Sequence, residues 1–301
     1  MSDKFFISAI VQARIGSTRF PGKVISDING KSMLEILVER LKLCRQLDEI
    51  IIATTNDEED NVIIELCEKL NLKVIRGSKQ DVLSRYVNAL SSSECDSIVR
   101  ITADCPLIDP VVIDKVIDAF KQDSFDYVSN INPPTYPDGM DVEIFTRSAL
   151  LLANKECILL NQREHVTPWI RENKQFRKKN IENSINLSQM RLTVDYEEDL
   201  ELIKSILRYF DYRIDISIDE IIKLKEIKPE LFLVNKSFKR NEGSNKNDGQ
   251  KLWGRAKKVI PGGNMLLSKR AELFLPEVWP TYFSKSKGCK VWDLNNIEYL
   301  D

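Results

Sequence analysis

Phe5-Phe-Ile-Ser-Ala-Ile-Val11-Gln12-Ala13-Arg14-Ile-Gly16-Ser17-Thr-Arg19-Phe-Pro21-Gly22-Lys23 is the stretch from which the fold is read. Phe5 to Ala13 is rich in β-branched and aromatic residues and predicts a strand. It runs without a spacer into a loop that gathers Arg14, Arg19 and Lys23 among Gly16, Ser17 and Gly22. A buried strand that ends in a glycine-bearing cationic loop is the opening unit of many α/β folds.

Beyond this loop the alternation of strand and helix continues. Ser32-Met-Leu-Glu35 reads as a capping box, with Leu34, Leu37, Val38 and Leu41 on one helical face. Strands are predicted at Glu49 to Thr54, Leu72 to Ile75 and Ser97 to Ile101. Helices are predicted over Asp57 to Leu70, over Asp81 to Leu90, and from Asp109-Pro110 to about Phe120, where Asp109 caps and Pro110 occupies the first turn. Short apolar strands alternating with amphipathic helices make βαβ units. The fold class is therefore α/β, with a mostly parallel mixed sheet and helices on both faces. Cover on both faces explains why Glu-Ile-Ile-Ile-Ala-Thr (49–54) lacks polar alternation. Ligands of such sheets bind beyond the carboxyl ends of the strands. The loops to read are 12–23, 54–60, 76–81 and 102–109.

Residues 125–230 are less regular. Pro133, Pro134 and Pro137 mark a loop over 131–139, and Ser217-Ile-Asp-Glu220 is a second capping box. Residues 236–251 are polar and rich in Gly, Ser and Asn, and predict a linker between a domain at 1–235 and a tail at 252–301.

The 301 residues include 44 Lys plus Arg and 46 Asp plus Glu, a formal charge of −2 that gives no general attraction to nucleic acid or anionic membrane. No apolar run approaches the roughly 20 residues of a membrane span, and the N-terminus lacks the pattern of a signal peptide. The expected location is the cytoplasm, with reduced thiols: the six cysteines form no CxxC pair. With His165 the only histidine, metal chemistry must rest on carboxylates, which points to magnesium or manganese.

Loop 12–23 reads either as a cradle for phosphate oxygens or as a solvated basic segment. The GxxxxGK[ST] spacing of a P-loop is absent. Asp104, in Arg100-Ile-Thr-Ala-Asp104-Cys-Pro106, follows a strand and is either a divalent-cation ligand or a turn residue. In Arg191-Leu-Thr-Val-Asp195-Tyr-Glu-Glu198-Asp199, Leu-Thr-Val looks strand-like and Asp195 is a ligand or an N-cap. Glu198 and Asp199 read there as first-turn complements of the helix dipole. Pro137-Asp138-Gly139-Met-Asp141-Val-Glu143 is a turn into a strand whose carboxylates hold sugar hydroxyls or merely close the turn. His165 is structural or catalytic.

These motifs, in this order, resemble the cytidylyltransferases that activate acidic sugars, the ketodeoxyoctulosonate and acylneuraminate type, and among them the spore coat polysaccharide biosynthesis protein F branch. The resemblance rests on Arg14-x-Gly16-Ser17-x-Arg19-x-Pro21-x-Lys23, Ala53-Thr-Thr-Asn-Asp57, Arg76-Gly77 with Asp81-Val-Leu-x-Arg85-Tyr86, and Arg100-x-Thr-Ala-Asp104-x-Pro106. It rests equally on Asp138-Gly139-x-Asp141-x-Glu143, Glu164-His165-Val-Thr167 and Leu192-Thr-Val-Asp195-x-x-x-Asp199. It implies a Rossmann-like nucleotide-diphospho-sugar transferase fold and transfer of CMP from CTP to an acidic sugar, or to a phosphorylated polyol, sugar phosphate or phosphonate, with release of pyrophosphate. The contrasting class is a non-catalytic nucleotide-binding module. By resemblance Arg14, Lys23 and Asp104 are catalytic, and Ala13, Gly16, Ser17, Arg19, Lys23 and Thr102 bind nucleotide. Arg76, Asp81, Arg85, Asp141, Glu143 and His165 bind substrate. Asp104 and Asp195 hold Mg²⁺, with Mn²⁺ as the alternative. A homodimer is expected from the same source.

The tail, with Pro261-Gly262-Gly263 and Trp292-Asp293, resembles the start of glutamate-1-semialdehyde-type aminotransferases. That resemblance implies a fused or associated aminotransferase whose cofactor lysine lies beyond Asp301.

Overall fold

The computed structural model describes residues 5–238, 240, 248–263, 270, 273, 280–294 and 297–300. The chain divides into two compact units, Met1–Ile158 with Gln162–Ser237, and Leu159–Asn161 with Phe238–Asp301.

In chain order the strands of the first unit are β1 (Ile7–Gln12), β2 (Asp27–Ile28), β3 (Lys31–Ser32), β4 (Glu49–Thr55), β5 (Lys73–Gly77), β6 (Ser97–Thr102), β7 (Tyr127–Ser129), β8 (Glu143–Thr146) and β9 (Lys178–Asn180). The helices are α1 (Met33–Leu41), α2 (Asn61–Lys69), α3 (Val82–Leu90), α4 (Pro110–Lys121), α5 (Arg147–Glu156), α6 (Leu160–His165), α7 (Pro168–Glu172), α8 (Glu197–Tyr209) and α9 (Ile218–Ile227). Seven strands form one sheet in the order β5-β4-β1-β6-β8-β7-β9, and β2 pairs with β3 as a separate hairpin. Within the seven, β8 runs antiparallel to both its neighbours, and all other pairings are parallel. From β1 the chain builds outward through β4 to β5, then returns to β6 on the other side of β1. The switch point, where ligands of open α/β sheets bind, therefore lies at the carboxyl ends of β1 and β6.

Alternate residues of each central strand feed two separate cores. Ala9, Val11, Ile52, Val99 and Ile101 join one apolar cluster with α1, α4, α8 and α9. Ile10, Ile51, Ala53 and Ile98 join another with α3 and α5. Burial on both faces is what the missing polar alternation required. The caps read from sequence are present: Ser32 and Ser217 close capping boxes, and Asp109 accepts the Val111 N–H. Arg40, fully buried, donates to the carbonyls of Leu107, Ile108, Ile214 and Ile216, and so ties α1 to two distant connections. Burial lowers its pKa to about 10, still charged at neutral pH.

Two local expectations are corrected. Leu192-Thr-Val is not a strand: only an isolated bridge joins Arg191 to Asp138, and the Val194 N–H goes to the Asp104 loop carbonyl and the Val194 carbonyl to Lys23 rather than to a neighbouring strand. In the second unit, α10 (Asp248–Val259) begins inside the span read as linker. Its Trp253 and Ala256 are buried against Tyr282, and a helix extends a turn before its first anchoring side chain. Residues 239 and 241–247 of that span lie outside the described residues. The same unit holds an antiparallel meander of β10 (Phe283–Lys287), β11 (Lys290–Asp293) and β12 (Glu298–Leu300).

Candidate active site

Gln12, the last residue of β1, stands opposite Ala53 on β4 and Thr102 on β6, so the three following loops leave the sheet at one edge. The first loop is closed by the Gly22 N–H on the Ile15 carbonyl at 2.9 Å. It is pinned by the Ile15 N–H on Asp60 Oδ1 at 2.7 Å. Asp60 is fully buried and also receives the N–H and hydroxyl of Thr55, so one carboxylate joins the loop to the end of β4. Gly22 sits at φ 74°, in the left-handed region, and turns the chain into a short 3₁₀ turn that starts at Lys23.

The Lys23 ammonium is directed inward. It donates to Asp104 Oδ2 at 3.1 Å, Asp195 Oδ1 at 2.9 Å and the Val194 carbonyl at 2.6 Å. Arg19 Nη2 reaches the same Asp195 Oδ1 at 2.6 Å, and its guanidinium lies 5.5 Å from the Tyr196 ring centre. Asp195 arrives here because the Val194 N–H and the Thr193 hydroxyl both bond the Asp104 carbonyl, at 2.8 and 3.2 Å. Behind Asp195 stands Arg191, which pairs with Asp138, Asp195 and Asp199. Thus Lys23, Arg19, Asp104 and Asp195, four residues singled out from sequence, meet at one point.

The charges sustain one another. Burial alone disfavours the Lys23 ammonium, yet Asp104 and Asp195 outweigh it and raise the lysine above its ordinary value. Burial likewise pushes Asp104 up, and the Lys23 charge more than reverses this, leaving it below the usual carboxylate range. For Asp195 burial again acts upward and Lys23 and Arg19 win, leaving it well below that range. Asp104 keeps 28% of its side-chain surface open while Lys23 keeps 9%, so the carboxylate is the more accessible of the two.

A cavity of about 130 Å³ lies beside this cluster's loop, at the ends of β1 and α3, with Ala13, Arg14, Lys79, Arg85 and His165 in its wall. Arg85 is buried and donates to the Ala53 carbonyl at 3.2 Å, while its Nε has no hydrogen-bond partner. Burial lowers its pKa and the neighbouring Arg14 charge adds to that effect. Arg14, Arg85 and Lys79 share this wall with the Glu164 carboxylate, and the excess of cations favours an anionic or strongly accepting ligand. A larger cavity of about 520 Å³, between Lys115, Tyr136 and Lys179, contains none of the predicted site residues.

The other predicted residues are placed as follows. Gly16 packs beside the Glu59–Lys79 pair: an added Cβ would stand 2.5 Å from Glu59 Oε1, the mobile end of an exposed side chain that would have to shift. Ser17 Oγ accepts the Phe20 N–H at 3.4 Å. Thr102 meets the Cys105 thiol at 3.3 Å, beside Asp104. Arg76 holds the 55–61 turn through Thr55 O, Asp57 O and Asn61 Oδ1, at 2.8, 2.8 and 2.9 Å. Asp81 caps α3 and pairs with Arg163 at 2.8 Å. Asp141 is half-buried in the loop before β8. Glu143 is buried against Arg100 at 2.7 Å and the Tyr127 hydroxyl at 2.5 Å, so its carboxylate presents no free surface. The cap of α8 is Tyr196, not Asp195. Asp199, read as a dipole complement, is fully buried on Arg191. The sequence alone assigns no role to Arg191 or Lys79. Local spacing does not announce Arg191, because residues 191–196 are not helical and only the fold sets Asp138, Asp195 and Asp199 around it.

A mostly parallel sheet with Lys, Arg and two aspartates at its switch point defines a nucleotidyltransferase of Rossmann-like fold. A family model described as cytidylyltransferase matches residues 8–238. The spore coat polysaccharide biosynthesis protein SpsF of Bacillus subtilis is 34% identical over 238 residues, covering 76% of this chain and 97% of that protein. An 8-amino-3,8-dideoxy-manno-octulosonate cytidylyltransferase of Shewanella piezotolerans is 34% identical over 121 residues, 38% of this chain and 48% of that enzyme. The solved structure of a cytidylyltransferase from Leptospira borgpetersenii is 34% identical with a TM-score of 0.72, covering 75% of this chain and 96% of that one. The chain belongs to the cytidylyltransferase family, and it is a CTP-dependent nucleotidyltransferase. Among the described residues no helix is long and apolar enough to cross a membrane.

Proposed function

We propose that the protein transfers CMP from CTP to a hydroxyl of an acidic sugar for surface polysaccharide or glycoconjugate synthesis, releasing pyrophosphate in the cytoplasm. The observation that carries this reading is the Lys23 ammonium held between Asp104 and Asp195 at the switch point, with Arg19 on the same carboxylate. Support for the acceptor comes from the sugar-linked names of the SpsF and octulosonate relatives.

The acceptor oxygen attacks the α-phosphorus as the bridge to the β-phosphate breaks, so charge builds on the departing pyrophosphate. Positioning and charge neutralisation supply most of the catalysis in such displacements. Arg14, which makes no hydrogen bond or ion pair to a described residue, is available to the phosphates, and Lys23 and Arg19 stand next along the same loop. The cavity wall of Ala13, Arg85 and His165 receives the nucleoside, and Asp141 faces the acceptor side.

The donor set also fits a hard divalent cation. Asp104 Oδ2, Asp195 Oδ1 and the Val194 carbonyl are three oxygens that already converge on one positive group. In the ion cluster itself four aspartates (104, 138, 195 and 199) face three cations (Lys23, Arg19 and Arg191), an excess of carboxylate that a divalent cation would offset. Asp104 and Asp195 would hold Mg²⁺ or Mn²⁺, which supplies that neutralisation when bound.

The test is pyrophosphate release with each of the four nucleoside triphosphates against a panel of nonulosonic and octulosonic acids, sugar phosphates, polyol phosphates and phosphonates. Release with CTP and an acidic sugar is the expected result. Release with a phosphorylated acceptor alone would overturn the acceptor class. CTP binding without release on any acceptor would make the protein a nucleotide-binding module.

A further inference from the structure

Arg191 uses all three of its guanidinium nitrogens on carboxylates. Nε and Nη2 grip Asp199 at 2.9 and 3.0 Å, Nη1 reaches Asp138 Oδ2 at 2.9 Å, and Nη2 also reaches Asp195 Oδ2 at 3.1 Å. The two-pronged grip on Asp199 is the rigid one. Asp199 is itself fixed, since it receives the backbone N–H groups of Asp195 and Tyr196 at 2.9 and 3.1 Å and the Asn235 amide at 2.8 Å. An immobile base therefore holds a guanidinium whose free edges touch two other loops.

On one edge is Asp195. Its Oδ2 is taken by Arg191, and this turns Oδ1 toward Lys23 and Arg19. On the other edge is Asp138, in the loop that leads to Asp141. That loop presses on the 191–195 segment with no space between: an added Cβ on Gly139 would stand 2.7 Å from both the Leu192 carbonyl carbon and the Thr193 nitrogen. The Asp138 N–H donates to the Met190 carbonyl at 2.8 Å, and the Leu192 N–H returns to the Asp138 carbonyl at 2.7 Å.

We propose that Arg191 is the positioning residue of this site: its one guanidinium sets the angle of the Asp195 carboxylate and fixes the acceptor-side loop relative to it. The inference rests on the cytidylyl-transfer reading above. Every ion pair of Arg191 among the described residues is to an aspartate, so on this reading it acts through Asp195 and Asp138. A lysine cannot substitute, because a single ammonium cannot span three carboxylates in a plane.

The experiment compares wild type, Arg191→Lys and Asp138→Asn. Three quantities are read: the CTP dissociation constant without acceptor, kcat with the acceptor KM, and the melting temperature. A role limited to structure lowers nucleotide affinity and turnover together. The positioning role separates them. Arg191→Lys should bind CTP within about threefold of wild type, since Arg14, Arg19 and Lys23 remain, while kcat falls by ~10²-fold, the effect of a displacement of about 1 Å at the reacting atoms. Asp138→Asn keeps the shape of the loop and gives a folded protein should Arg191→Lys fail to fold. It should raise the acceptor KM by about tenfold with CTP affinity unchanged, the loss expected for about 1.4 kcal/mol. Wild-type kcat and KM in both variants, or CTP affinity and kcat falling in parallel in both, would overturn the proposal. Failure of the cytidylyl-transfer reading shows elsewhere, in a wild type that releases no pyrophosphate.

Discussion

Lys23→Met removes one ammonium and keeps most of the side-chain volume, and its cost can be worked from the contacts. Asp195 retains Arg19 at 2.6 Å and Arg191 at 3.1 Å, whereas Asp104 loses its sole ion-pair partner among the described residues. The variant therefore strands one carboxylate rather than two. Breaking a buried pair by removing one partner costs about 3–5 kcal/mol, and the lower end applies because Asp104 keeps some access to water. For a unit of this size 1 kcal/mol moves the melting temperature by roughly 2–4 °C, so a fall of about 6–12 °C is expected at pH 7. The pH dependence has a definite sign. In the wild type Asp104 titrates below its unfolded value, so it contributes stability above about pH 4 that is lost as pH falls through the depressed value. The variant lacks that contribution, and the gap between the two melting curves should narrow from pH 7 to pH 3. Turnover should fall by ~10²–10³-fold, as when one preorganised charge is lost. Scanning calorimetry across pH, with pyrophosphate release measured alongside, checks both parts. A melting temperature within about 2 °C of wild type, or a gap that does not change with pH, would refute the placement of Lys23.

Four further outcomes are expected. Asp104→Asn, nearly isosteric, should lower pyrophosphate release by ~10²-fold or more, and chelation of divalent ions should abolish release in the wild type until Mg²⁺ or Mn²⁺ is restored, both followed in the same coupled assay. Gly139→Ala places a Cβ at φ 102°, where it meets the Leu192–Thr193 peptide, and should cost about 2 kcal/mol or more in urea unfolding. Arg40→Met leaves the carbonyls of Leu107, Ile108, Ile214 and Ile216 without their donor and should cost about 3 kcal/mol or more while kcat stays unchanged.

What the sequence made legible was what local rules control. Ser32, Ser217 and Asp109 announce helix starts because a cap bonds within three residues of itself. The runs read as strands at 5–13, 49–54 and 97–101 announce the buried strands found at 7–12, 49–55 and 97–102, and their order places the cationic loop at the ligand edge. Long-range pairings were harder to read. Glu143 looks like an outward carboxylate on an alternating strand, but the register of β6 with β8 sets it opposite Arg100, and the sheet encloses it. Leu192-Thr-Val has strand composition, yet its partner is a loop carbonyl rather than a neighbouring strand. Asp199 has the first-turn position of a dipole complement, and only the fold brings Arg191 and Asn235 onto it.

Lys23 and Asp195 are 172 residues apart in the chain, and the Asn235 amide that steadies Asp199 comes later still. A nascent polypeptide can complete β1, β4 and β6 long before either carboxyl-terminal contributor leaves the ribosome. Until then the lysine has only Asp104 to neutralise it, and the pocket is half built. Closing such a wide loop is entropically slow, so the ion cluster should form among the last events of folding. The ion cluster is thus whole only once the last segments of the domain, those bearing Asp195 and Asn235, have been added.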